Sequence, residues 1–118
     1  MKAVGGLRRF LVLTKRWQVG KATIEDLVKD QEAASRRLIF IDAFEEPVRA
    51  VAGADIAYLD DGAFAAAAVL DYENGAVQEQ RQVRVEGVSP YLPGLLVYRE
   101  GPALIKVVQS LERRFQVL

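Results

Sequence analysis

The sequence of 118 residues contains no cysteine and no histidine. The first absence excludes disulfides, thiolate zinc sites and a cysteine nucleophile. The second excludes imidazole as a general base or metal ligand, so any metal chemistry must use oxygen donors and hard ions such as Mg²⁺ or Mn²⁺. No apolar run approaches the roughly 20 residues that span a bilayer. The start of the chain lacks the long apolar stretch and small-residue cleavage site of a secretory leader. A cytoplasmic protein with no membrane partner is the expectation. P-loop, GxSxG and GxGxxG patterns are also missing. Net charge is zero, with 16 basic residues against 16 acidic ones, which excludes a polybasic or polyacidic tail. What is present is a hydrophobic fraction of 51% and a charged fraction of 27%. That is the composition of one globular domain with a real core, and the length is too short for two.

The zero balance hides an asymmetry. Residues 1–24 hold Lys2, Arg8, Arg9, Lys15, Arg16 and Lys21 and no acid, so all 16 acids lie in the rest of the chain. Phe10–Leu13 and Trp17 are interleaved with these cations. An amphipathic basic arm against phosphate or a membrane surface has this pattern. So does a frayed extension, or a start codon set too far upstream. Residues 1–22 therefore read as a basic N-terminal extension and residues 23–118 as the domain.

Thr23 and Asp26 have the spacing of a capping box. Apolar residues recur behind them at Ile24, Leu27, Val28, Ala34 and Leu38, which predicts a helix from about 24 to 37. Leu38–Ile41 is apolar and β-favouring but short. Val48–Leu59 reads as a strand, Asp60-Asp61-Gly62 as a turn, and Ala63–Tyr72 as a second strand. The Ala65–Ala68 run alone favours helix, but it lies between two turn signals, and Asn74-Gly75 is a strong hairpin signal. Val77–Glu86 alternates, with Val77, Glu79, Arg81, Val83 and Val85 on one face. The result is a three-stranded antiparallel meander. Residues 87–102 read as a loop, with Pro102 opening a final helix whose stripe is Leu104, Val107, Val108, Leu111 and Phe115. Arg113 and Arg114 fall near its C-terminus. Gln116–Leu118 looks like the start of another strand.

Three features could carry chemistry. Asp55 interrupts an apolar strand, where a buried carboxylate needs a cation, a donor network or a metal, whereas an edge-strand Asp would face water. Glu100 precedes Gly101-Pro102, where it could simply serve a helix dipole. Its neighbour Arg99 suits a phosphate or a carboxylate. Pro90 and Pro93 bracket Tyr91 and Leu92 in a stiff loop. Such a loop can present an aromatic to a base or can pack it down on the sheet. The acids at Asp60, Asp61, Asp71 and Glu73 read as solvated turn residues.

The segments Val51-Ala-Gly-Ala-Asp-Ile-Ala-Tyr58 and Pro90-Tyr-Leu-Pro-Gly-Leu-Leu-Val-Tyr-Arg-Glu100, followed by Pro102-Ala103-Leu104, resemble the endonuclease V family. The second segment is similar to that family's Pro-Tyr-Ile-Pro-Gly-Phe-Leu-Ser-Phe-Arg-Glu signature. The resemblance runs from about residue 24 to 118 and implies an α/β, ribonuclease H-like fold. It implies a metal-dependent endonuclease acting on inosine-containing DNA or RNA and cutting 3′ to the lesion, with Mg²⁺ or Mn²⁺ as cofactor. By position, Asp55 and Glu100 match metal-binding catalytic acids. Pro90, Tyr91, Leu92 and Pro93 match the wedge that props the lesion outwards, Gly94 matches the glycine beside the flipped-base pocket, and Arg99 is a further nucleic-acid contact. The family's later Asp-Gly-His-Gly motif and Lys have no counterpart in these residues. The expectation is an N-terminal half, weakly active or inactive alone, self-associating as a homodimer or completed by a complementary C-terminal half. A non-catalytic nucleic-acid-binding module and an inactive remnant are the alternatives.

Overall fold

The computed structural model describes residues 22–42 and 46–115. All of the basic extension except Ala22 lies outside the described residues, and so does Gln116–Leu118. The order is α1 (Ile24–Ser35), β1 (Ala50–Leu59), β2 (Gly62–Asp71), β3 (Val77–Glu86) and α2 (Leu96–Gln109).

The capping box at α1 forms as expected. Thr23 Oγ1 accepts the Asp26 N–H, and Asp26 Oδ2 accepts the Thr23 N–H, each at 3.1 Å. The helix ends at Ser35 rather than 37, and Leu38–Ile41 is exposed coil.

The sheet is an antiparallel meander in the order β1-β2-β3. Ala50 pairs with Asp71 and Leu59 with Gly62 at the ends of the first ladder, and Gly62 pairs with Glu86 in the second. The Ala65–Ala68 run is strand, because ladders on both sides outweigh a propensity difference of order 1 kcal/mol. Its alternation is what the core uses. Ala63, Ala65, Ala67 and Val69 are buried under α2, while Phe64 and Ala66 face the other way and are exposed. Gly62 is required by close approach, since a Cβ there would lie 2.2 Å from the Val85 carbonyl oxygen.

The loop after β2 runs over residues 72–76, where Asp71 Oδ1 accepts the N–H groups of Glu73 and Asn74. Three expectations need correction. The register shifts between Val69 and Leu70, so Val77 pairs with Leu70, leaves the face of Val83 and Val85, and is exposed. The final helix begins at Leu96, not at Pro102, which lies inside it. A proline there costs roughly 3 kcal/mol. Burial of Ile105 and Val107 alone offsets this at roughly 1.5–3 kcal/mol each. The helix also stops at Gln109, so Arg113 and Arg114 lie beyond it.

The main core joins Ala65, Ala67 and Val69 of the sheet to Ala103 and Val107 of α2, with Leu111 and Phe115 beyond the helix. A second small cluster, Leu27, Leu95 and Tyr98 with Leu92 against it, fastens α1 to the start of α2. The chain leaving α2 is held by Glu79, whose carboxylate accepts the N–H groups of Glu112 and Arg113 at 2.8–3.1 Å and pairs with Arg81 at 3.0 Å. Those backbone bonds, from Arg113 first and then Glu112, hold the Glu79 carboxyl below its ordinary value.

Candidate functional site

Antiparallel pairing brings the end of β1, the loop after β3 and the first turns of α2 to one end of the meander. The candidate residues distribute over these three elements and the middle of β1.

Asp55 is exposed, and among the described residues its strand β1 is at the edge of the sheet. It pairs in register with Ala66, on the face turned away from α2. Its Oδ1 accepts the N–H of Ile56 at 2.8 Å. With Ala66, Ala68, Gln80 and Gln82 it lines a shallow concavity of about 690 Å³ on the uncovered face of the sheet.

Glu100 is half-buried in α2 and is not a residue of the helix start. Tyr58 is on the helix-facing side of β1, and its hydroxyl donates to Glu100 Oε1 at 3.2 Å. The Arg99 guanidinium stacks on the ring of Tyr58, 4.1 Å from its centroid. Burial raises the Tyr58 phenol above its usual value; Arg99 opposes this and Glu100 adds to it. The hydroxyl therefore stays protonated and remains a donor.

Asp55 stands on β1 and Glu100 on α2, which packs against the sheet. Carboxylate oxygens are the right donors for a hard cation. Among the described residues, however, no three acidic side chains form a group able to hold one. Asp55 and Glu100 thus fit part of a divalent-ion donor set and not the whole.

The diproline loop does not pack down on the sheet. Tyr91 is 58% exposed. Leu92 is half-buried against the α1–α2 cluster instead. The Leu95 N–H donates to the Leu92 carbonyl at 2.9 Å, and Gln31 Nε2 donates to the Gly94 carbonyl at 2.9 Å. Gly94 has φ of +79°, a conformation costly for any other residue. Pro90 and Pro93 are exposed on either side of Tyr91–Leu92. Beneath the loop, Tyr98 is buried, and its single hydroxyl proton is shared between the Leu27 carbonyl at 2.8 Å and Asp30 Oδ2 at 3.3 Å. Burial first, and then Asp30, push its phenol up to about 12.

Sequence reasoning gave no role to Tyr58 or Gln31. Tyr58 shares strand parity with Ile56, which could have placed it toward the helix. The contact between Gln31 and Gly94 spans 63 residues and has no local signal.

The endonuclease V family model matches residues 32–118. The endonuclease V of Trichormus variabilis is 32% identical over 98 residues, covering 81% of this chain and 44% of the relative. The crystal structure of Streptomyces avermitilis endonuclease V is 36% identical with a TM-score of 0.69, covering 79% of this chain and 42% of that one. The Ciona intestinalis endonuclease V, solved with a 24mer DNA containing an inosine followed by a ribo-adenosine, has the same fold at 23% identity and a TM-score of 0.66. It covers 73% of this chain and 38% of that one. The chain spans less than half the length of these relatives. Two helices and an antiparallel meander are thus the corresponding part of a ribonuclease H-like fold. With the match covering most of its length, the chain belongs to the endonuclease V family.

Proposed function

We propose that this chain supplies the lesion-reading and part of the metal-binding half of an endonuclease that cuts inosine-containing DNA or RNA on the 3′ side of the deaminated base. The observation that carries this reading is the Pro90–Gly94 loop, which holds Tyr91 out in water while Leu92 and Gly94 are fixed from below. A fixed aromatic can stack on a base or enter a duplex at little entropic cost. A deaminated base pairs weakly and is therefore the cheapest one to displace. Arg99 gives a guanidinium for a phosphate oxygen. Asp55 and Glu100 are the residues of this chain that would hold Mg²⁺ or Mn²⁺, with further ligands from outside it. Such an ion supplies an activated water and neutralises charge on the scissile phosphate. The setting proposed is cytoplasmic repair or quality control of deaminated nucleic acid.

The test is cleavage of labelled inosine-containing DNA and RNA strands with Mg²⁺ or Mn²⁺, beside undamaged controls. The chain is assayed alone and with a polypeptide covering the remainder of a relative's length. The expected result is a cut 3′ to inosine in the combined sample, lost in Asp55→Ala and Glu100→Gln. Equal cutting of undamaged strands, or full activity in both variants, overturns the reading. Selective binding of inosine strands without any cutting selects the non-catalytic module instead.

A further inference from the structure

Adjacent residues Arg99 and Glu100 carry opposite charge, yet no ion pair joins them among the described residues. Tyr58 stands between them. Its ring takes the guanidinium at 4.1 Å, and its hydroxyl takes Glu100 Oε1 at 3.2 Å. The side chain comes from a different element, 42 residues away, and reaches α2 because Tyr58, the penultimate residue of β1, has the parity of the helix side. A Glu–Arg contact would neutralise a carboxylate needed by a cation and occupy a guanidinium needed by a phosphate. The tyrosine satisfies both partners without either loss. A phenol donates only one hydrogen bond, which leaves the second carboxylate oxygen of Glu100 for another ligand. A ring face attracts the cation but does not cancel its charge.

We infer that Tyr58 is a positioning residue, which orients the Glu100 carboxylate toward a divalent cation and holds Arg99 apart from it for a phosphate. This deepens the function proposed above and rests on it. The two contacts separate chemically. Tyr58→Phe removes the hydroxyl and keeps the ring. Tyr58→Leu removes both, leaving Arg99 free to close on Glu100. Tyr58 is 38% exposed, so both variants should fold, as circular dichroism will show.

The experiment measures Mn²⁺ binding by water-proton relaxation to the chain combined with a polypeptide covering the remainder of a relative's length, and metal-free binding of an inosine-containing single strand across a salt series. Loss of an outer hydrogen bond to a ligating carboxylate typically weakens metal binding by about 10- to 100-fold. Tyr58→Phe is therefore expected to weaken Mn²⁺ by about tenfold and to leave strand binding unchanged. Tyr58→Leu is expected to weaken both and to lower the salt slope by about 0.7, the value of one phosphate contact on a single strand. Wild-type Mn²⁺ affinity in both Tyr58 variants, alongside a loss in Glu100→Gln, overturns the positioning role and leaves the functional reading standing. Mn²⁺ binding that is absent in the wild type, or unaltered in Glu100→Gln, overturns the metal assignment and the positioning role with it.

Discussion

Tyr91 leaves more than half of its surface in water, while Leu92, the next residue, is half-buried against the junction of the two helices. That division of labour is the residue-scale content of the loop: one side chain anchors and its neighbour is presented. On the proposed reading, Tyr91→Ala weakens binding of an inosine-containing strand by roughly 1–3 kcal/mol, the worth of one aromatic stack. Fluorescence anisotropy checks this, and equal affinity of both forms for inosine and undamaged strands removes the stacking role. Asp55, Glu100 and Tyr91 could be singled out as candidates because each sits in a contiguous motif. The environment of Glu100 was not. Its contact with Tyr58 depends on how β1 docks against α2, and no spacing within either segment encodes that. The choice between an edge and a core position for Asp55 was open for a similar reason. Among the described residues, only the strand order puts β1 at an edge.

Among the elements, α1 shows how a short amphipathic helix can serve a distant loop. It contributes one buried side chain, Leu27, and one long-range hydrogen bond from Gln31. Its other fastening is the Tyr98 hydroxyl. Because the phenol is raised from 10.0 to about 12 in the folded chain, folding favours its protonated form. That contribution is intact below pH 10.0 and is lost as pH rises toward about 12. Tyr98→Phe should lower stability near neutrality by about 0.5–1.5 kcal/mol, the worth of one hydrogen bond. It should also flatten the fall in stability between those two pH values. Urea unfolding monitored by circular dichroism across that range checks both, and a slope identical to wild type refutes the assignment. The strands and α1 were legible from periodicity and capping. The start of α2 was not, because Gly101-Pro102 is a strong local stop signal that tertiary burial overrides.

At the scale of the whole molecule, the two faces of the sheet are unequal. One is covered by α2. The other presents Phe64, Leu59, Ala57 and Ala66, with Phe64 41% exposed. The two sheet edges differ as well. β3 alternates charged and polar side chains that discourage pairing, whereas β1 is mostly apolar around Asp55. An apolar face bordered by an open strand edge favours association. Sedimentation velocity over about a hundredfold concentration range should show a rising sedimentation coefficient, and Phe64→Lys should suppress it. A monomer at every concentration in the wild type contradicts this expectation. Coverage of less than half of each relative's length agrees with the uncovered face. An exposed apolar edge and face were foreseeable from the sequence, because the meander and its helix were recognisable and, among the described residues, one helix packs on the sheet.

The alanines that line β2 have one more consequence. Ala63, Ala65 and Ala67 are buried on the strand and Ala103 is buried on α2, so small side chains line the contact between them. They act as a thin shim beneath a lever whose far arm carries Arg99 and Glu100. A single enlargement in the middle of this layer would tilt the arm and open the 3.2 Å contact at Tyr58 without altering any residue proposed to touch nucleic acid. Variants that impair recognition can therefore arise in the plainest part of the sequence, and tolerance to mutation here should track side-chain volume rather than distance from the motif.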